Sequence, residues 1–361
     1  MPAPSFRAAA TRVRVPATSA NLGPGFDAFG LALSLYDDVV VRVADSGLYV
    51  DIAGEGADTL ARDERHLVVR SMRAAFDRLG GQPRGLEVVC ANRIPHGRGL
   101  GSSSAAIVAG IVAARAVTVG GTDLMDQAAV LALASEIEGH PDNVAACILG
   151  GFTIAWTDDA HTAASAHDGH DAHAVTLEPC AAVVPLVFIP ADPVLTEVAR
   201  GLLPATVPHA DAAANVGRAA LLVEAITRRP ELLLPATEDR LHQDYRTPAM
   251  PDSAALVATL RAQGVAAVIS GAGPTVLALT DAGTADKLLA QVVAGSAWAA
   301  HRLDLDLDGA CVLPLASGTP DASAVTEPGT NLGALPGTNL GARPGADLGA
   351  LPGARPGTPE D

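Results

Sequence analysis

From Ile94 to Arg115 the chain reads IPHGRGLGSSSAAIVAGIVAAR, a glycine-rich turn, three serines and then a smooth apolar run. Few folds accommodate that order, because a glycine turn running into an apolar helix presents bare backbone and a helix start at the same point. Gly97, Gly99 and Gly101 remove side chains where backbone can approach a ligand, and Ser102, Ser103 and Ser104 are candidate N-caps. The first N–H groups of a helix lack intrahelical partners and carry the positive end of the macrodipole, so an anion, a phosphate above all, suits that position. A loop that merely precedes a buried helix is the alternative from pattern alone. No lysine follows the glycines as in a Walker A loop, and Ser104 stands where a G-x-G-x-x-G fingerprint needs its third glycine. A nucleotide here is held in some other way.

An anionic ligand also needs local cations, and the formal net charge of −16 makes them scarce. That charge argues against a nucleic-acid partner or an anionic membrane surface. No apolar run reaches spanning length, since Arg115 breaks the longest, and no signal-peptide core follows Arg7, Arg12 and Arg14, so a cytoplasmic protein is expected. Cys90, Cys147, Cys180 and Cys311 are widely separated and suggest neither a zinc site nor a disulfide framework. At 361 residues two domains are expected. With aromatics at only 3%, helices should pack through Ala and Gly.

Along the chain, Arg12–Val15 starts a strand that enters PATSANLGPGFDAFG, where Asn21, Gly23, Gly25 and Asp27 surround Pro24. Turn chemistry alone would explain those residues. Tyr36–Val43 and Leu48–Ile52 read as strands of one antiparallel sheet, His66–Leu79 as an amphipathic helix, and Leu86–Ala91 as the strand before the glycine loop. Asp123–Glu138 reads as one helix closed by EGHPDN, Glu138–Asn143. Residues 157–174 form a His- and Asp-rich insertion, too irregular in spacing for a defined metal site. Thr196 and Arg200 share a helix face by their spacing of four. Arg246 sits in a Pro-terminated connection, SGAGPTV offers a second glycine turn at Gly271 and Gly273, and Asp304–Leu313 reads as a last strand. From Pro328 an eight-residue Pro- and Gly-rich repeat, PGTNLGAL and its variants, predicts a disordered tail.

PATSANLGPGFDAFG, PHGRGLGSSSAA and SGAGPTV, in that order, closely resemble the GHMP family of small-molecule kinases. With EGHPDN and the Thr196–Pro204 segment they resemble its branch acting on an amino-acid alcohol, over residues 12–313. The resemblance implies an α+β, two-domain fold, an ATP-binding domain over 11–175 with a left-handed βαβ unit and a ferredoxin-like domain over 176–316; outside it, residues 1–10 read as a flexible lead-in and 317–361 as the tail. It implies transfer of the γ-phosphate of ATP to the hydroxyl of L-homoserine with Mg²⁺. ATP would lie against Pro95, Gly97, Gly99, Leu100, Gly101, Ser102, Ser103 and Ser104, with Leu67 and Val68 by the adenine. Ser103 and an acidic residue would hold Mg²⁺, Glu136 as first choice and Glu138 as the alternative. Arg200 and Arg246 would take the substrate carboxylate, and Asn21 and Asp27 the amino and hydroxyl end. His140, Asn143 and Thr196 would line the pocket, and Gly271 and Gly273 would close it. Asn143 takes no proton, so transfer without a general base is expected, with Asp142 facing away. A homodimer is compatible with the sequence. The alternatives are a GHMP kinase for an isoprenoid or sugar alcohol, and a ligand sensor that has lost catalysis.

Overall fold

The computed structural model describes residues 4–158, 172–291 and 297–314. The repeat tail and most of the His-rich insertion lie outside these residues.

Two sheets carry the described residues. The first contains β1 (Thr11–Asn21), β2 (Gly25–Ala44), β3 (Gly47–Gly54), β4 (Gly85–Asn92), β5 (Phe152–Thr157), β6 (Ala172–Leu177) and the final short strand Cys311–Leu313. β2 is 20 residues long because two turn-free β segments, Phe29–Leu35 and Tyr36–Val43, run together. It pairs with β1 along its length, with β4 near its end and with β5 near its start. The expected all-antiparallel arrangement is corrected at β3, which lies parallel to β4 and is separated by it from β2. The helix α1 (Leu67–Arg78) connects β3 to β4, and a crossover of that length permits parallel pairing, as a hairpin would not.

Helix α2 (Ser102–Val117) packs across α1 and β1. A Cβ at Gly110 would run into the Val68 carbonyl and Ser71, so small residues do set the helix spacing. The single helix expected over 123–138 is two: α3 (Gly121–Leu124) and α4 (Gln127–Glu138). The Asp126 carboxylate accepts the Ala129 N–H at 2.8 Å and restarts the helix there. Gly139, left-handed at φ 91°, ends α4, and α5 (Asp142–Leu149) begins within EGHPDN.

The second sheet is antiparallel. Its strands are β7 (Val184–Pro190), β8 (Ala266–Ile269), β9 (Val276–Thr280) and β10 (Trp298–Arg302), in the order β10-β7-β9-β8. This is the ferredoxin-like order expected. Between β7 and β8 lie α6 (Thr196–Gly201), α7 (His209–Thr227), α8 (Leu233–Ala236), α9 (Gln243–Arg246) and α10 (Pro251–Ala262); α11 (Ala282–Gln291) precedes β10. The strand expected over 304–313 shrinks to β11 (Cys311–Leu313), because Asp306 accepts the Gly309 N–H in a tight turn. β11 pairs with β1, so the last of the described strands lies on the same sheet as the first, and β6 runs across the expected boundary at 175/176.

Candidate active site

The three glycine-bearing blocks meet. Gly97, Gly99 and Gly101 have φ of 65°, 74° and 71°, a region in which a side chain is strained. A Cβ at Gly99 would collide with the Ser270 carbonyl and one at Gly101 with Thr18 Oγ1. The loop is thus clamped between β1 and the SGAGPTV turn: Ser270 Oγ donates to Gly99 O at 2.5 Å, and Thr18 N–H to Leu100 O at 3.0 Å.

Gly101, not a serine, caps α2. The serines occupy its first turn, where Ser103 Oγ and Ser104 Oγ donate to the two carboxylate oxygens of Glu138 at 2.8 and 2.9 Å. Glu136 lies elsewhere, accepting from Arg78 at 2.8 Å on an exposed surface. Residues two apart on a helix point about 200° apart, so only one of the two can reach Ser103. Glu138, the alternative, is the acidic residue beside Ser103.

Two cavities share Ser102 and Ser103. One, of about 320 Å³, is lined by Val39, Leu60, Leu67, Val68 and Ala105, Ala106 and Ala109 of α2, with Asp37, His66, Asn92 and His96. Both ring nitrogens of His66 are buried without partners, and burial lowers its pKa. Asp37 accepts the Arg93 and Ile94 N–H groups at 2.6 and 2.9 Å, and burial pushes its pKa up to about 7. The expected Pro95, Leu100 and Ser104 are buried behind the loop and line neither cavity.

The second cavity, of about 560 Å³, brings together Asn21, His140, Asn143, Thr196, Arg200, Arg246 and Gly271 with the glycine loop and Glu138. Gly273 stays outside it, packed against Met250. Asn21, Leu22 and Asp27 all have positive φ, which bends the first block around the cleft. Asn21 Nδ2 donates to Gly271 O at 2.8 Å, and its Oδ1 accepts the Asp27 N–H at 2.9 Å. Asp27 is not free: its carboxylate forks Arg200 at 2.6 and 3.1 Å. Asp142 lines the cleft instead of facing away. Its Oδ1 meets His140 Nδ1 and accepts the Asn143 N–H, both at 2.7 Å. Burial opposes the charging of His140, but the Asp142 bond and the nearby carboxylates raise its pKa. Asn143 Oδ1 accepts from Thr18 Oγ1 at 2.8 Å.

Sequence reading does not single out Thr18 or Asp37. Thr18, a polar residue within a strand, was the more visible of the two.

The family description "GHMP kinases N terminal domain" matches residues 66–151, and "GHMP kinases C terminal" matches 212–295. The class of fold and loop is therefore that of the GHMP kinases. The chain is 71% identical over 319 residues to a homoserine kinase of Streptomyces coelicolor, covering 88% of this chain and 99% of that protein. It is likewise 71% identical over 317 residues to a homoserine kinase of Streptomyces avermitilis, covering 88% of this chain and 100% of that one. Among solved structures, a homoserine kinase from Cytophaga hutchinsonii superposes with a TM-score of 0.69 at 26% identity, covering 86% of this chain and 98% of that one. The chain belongs to the homoserine kinase family.

Proposed function

We propose that the cleft transfers the γ-phosphate of ATP to the hydroxyl of L-homoserine, giving O-phospho-L-homoserine for threonine synthesis. The observation that carries this reading is the meeting of two cavities at the start of α2: a largely apolar one suited to a base, and a polar one holding two arginines. The triphosphate runs between them over the glycine loop, with the unpaired N–H groups of the helix facing its negative charge. The 71% relatives carry the same activity in their names.

Ser103 and Glu138 fit Mg²⁺. A hydroxyl and a carboxylate are the hard oxygen donors it takes, and it is commonly held by one or two carboxylates together with substrate phosphates. Among the described residues no cluster of three or more His, Cys, Asp or Glu competes with such a shared site. When bound, the ion would neutralise charge on the phosphate oxygens.

Arg200 and Arg246 take the substrate carboxylate, where paired guanidiniums are well suited. Asp27 lies outside the cavity lining, fixed by Asn21 and Arg200, and its carboxylate supplies the negative charge nearest the pair that would attract the ammonium. His140 faces the phosphoryl charge, and Asp142 holds it there. With Asn143 unable to accept a proton and Asp142 engaged by His140, the chemistry rests on alignment and charge stabilisation, which a loose transition state permits. No helix among the described residues is long and apolar enough to cross a membrane, and we place the enzyme in the cytoplasm.

The test is ADP release with Mg-ATP and a panel of homoserine, mevalonate, galactose and shikimate. Homoserine should be preferred at least tenfold in kcat/KM; no preference would overturn the substrate, and no ADP release with any alcohol would favour a ligand sensor.

A further inference from the structure

Arg200 and Arg246 are like charges that must converge on one small carboxylate, and the glycine blocks do not explain what holds them there. Both lie against the ring of Phe26. The Arg246 Cζ lies 5.3 Å from its ring centroid and the Arg200 Cζ 5.8 Å. The same ring stacks on His242, with centroids 5.1 Å apart and planes inclined by 26°. Phe26 directly precedes Asp27, whose carboxylate forks Arg200, so one dipeptide touches both guanidiniums.

His242 is fully buried and fixes the other side. One ring nitrogen, Nε2, lies 2.8 Å from Gly23 O, and Nδ1 lies 3.2 Å from Arg246 Nη1. A carbonyl can only accept and a guanidinium only donate, so the imidazole carries its proton on Nε2 and receives the Arg246 bond on Nδ1. Burial and the Arg246 charge hold the ring neutral against the pull of Asp239. Arg246 Nη1 also donates to Gly271 O at 3.2 Å. That leaves Nε, buried without a partner, and Nη2 as the unengaged side of the guanidinium, in a residue only 1% exposed that lines the cleft. An unpaired buried donor of this kind calls for a ligand.

We propose that Phe26, backed by His242, is the positioning residue that aims Arg200 and Arg246 at a single carboxylate and so selects an amino acid over an amino alcohol. The ring face attracts both cations while its bulk keeps them apart. His242 orients Arg246 by consuming Nη1. This rests on the reading of the two arginines as the carboxylate pair.

The test compares wild type, F26L and F26Y in the full-length protein, with Tm as a control for folding. Steady-state kinetics would give KM for homoserine and for ATP. The inhibition constant of 3-amino-1-propanol, which is homoserine without its carboxylate, would be measured beside them. F26L should raise the homoserine KM about tenfold while leaving the ATP KM and the amino-alcohol constant within about twofold, and F26Y should restore the homoserine KM, since its ring keeps the same face. A homoserine KM unchanged in F26L, or homoserine and amino alcohol weakened alike, would overturn the proposal. Failure of the underlying reading looks different: wild type would not turn over homoserine, or R200A would leave its KM unchanged.

Discussion

Replacing Glu138 by Gln keeps the side-chain shape, removes the charge and turns one of the two oxygens that accept from Ser103 and Ser104 into an N–H donor, to which a serine hydroxyl can respond by rotating to accept. If that carboxylate helps hold Mg²⁺ on the triphosphate, the loss is mainly coulombic. Unit charges about 4 Å apart interact by about 4 kcal/mol at an effective dielectric of 20. The Ser103–Glu138 contact opens to solvent, so roughly 2–4 kcal/mol is reasonable, or about 30- to 1000-fold in turnover. E136Q is the matched control. Its ion pair with Arg78 has side chains 61% and 59% exposed, a setting in which a pair contributes about 0–1 kcal/mol to stability and nothing to chemistry. The assay is coupled ADP release at saturating homoserine with Mg²⁺ and ATP titrated. E138Q should show the lower kcat and a higher Mg²⁺ requirement, and E136Q should stay within about twofold of wild type. An E138Q enzyme with kcat within about threefold of wild type, or an E136Q enzyme that loses more, would refute the assignment.

Asp37, with a pKa raised to about 7 in the fold, binds its proton more tightly folded than unfolded. Its contribution therefore falls as pH rises from about 4 to about 7, at about 1.4 kcal/mol per unit. D37N, whose amide oxygen still accepts the Arg93 and Ile94 N–H groups, should gain stability relative to wild type between pH 5 and 8 in urea unfolding; a pH-independent difference would exclude this titration. G99A should lose at least tenfold in kcat/KM for ATP and several degrees of Tm, because its Cβ meets the Ser270 carbonyl at positive φ; normal ATP kinetics would mean the loop is not the phosphate cradle. D142N should keep kcat within about tenfold and flatten any pH dependence owed to His140, since the carboxylate acts by holding that ring. A fall of about a thousandfold in kcat with an unchanged homoserine KM would restore a general base.

Much of this protein was legible in the chain because the informative interactions are local. Glycines that must take positive φ, the helix start after them, and the turn chemistry of SANLGPGFD depend on neighbours in sequence, so the loop and its anion preference follow without a fold. The strand and helix periods gave most elements for the same reason. The failures occur where an answer depends on facing or on distant partners. Glu136 and Glu138 are chemically equivalent in the sequence, and only the packing of α4 against α2 decides which side of the helix meets Ser103. β3 could have paired with β2; α1 carried the chain across and β4 filled the place between them. Asp304–Leu313 alternates like a strand, yet the Asp306 turn leaves only its last residues to pair with β1, some 300 positions upstream. Phe26, Arg200 and the neighbouring pair His242 and Arg246 lie in three distant parts of the chain, and nothing in the surroundings of any one of them points to the others. The sequence determined by itself that a glycine turn runs into a helix start and that such a start suits an anion. Tertiary structure alone decided which carboxylate stands beside Ser103 and that two arginines line one cleft, because those outcomes depend on convergence in space.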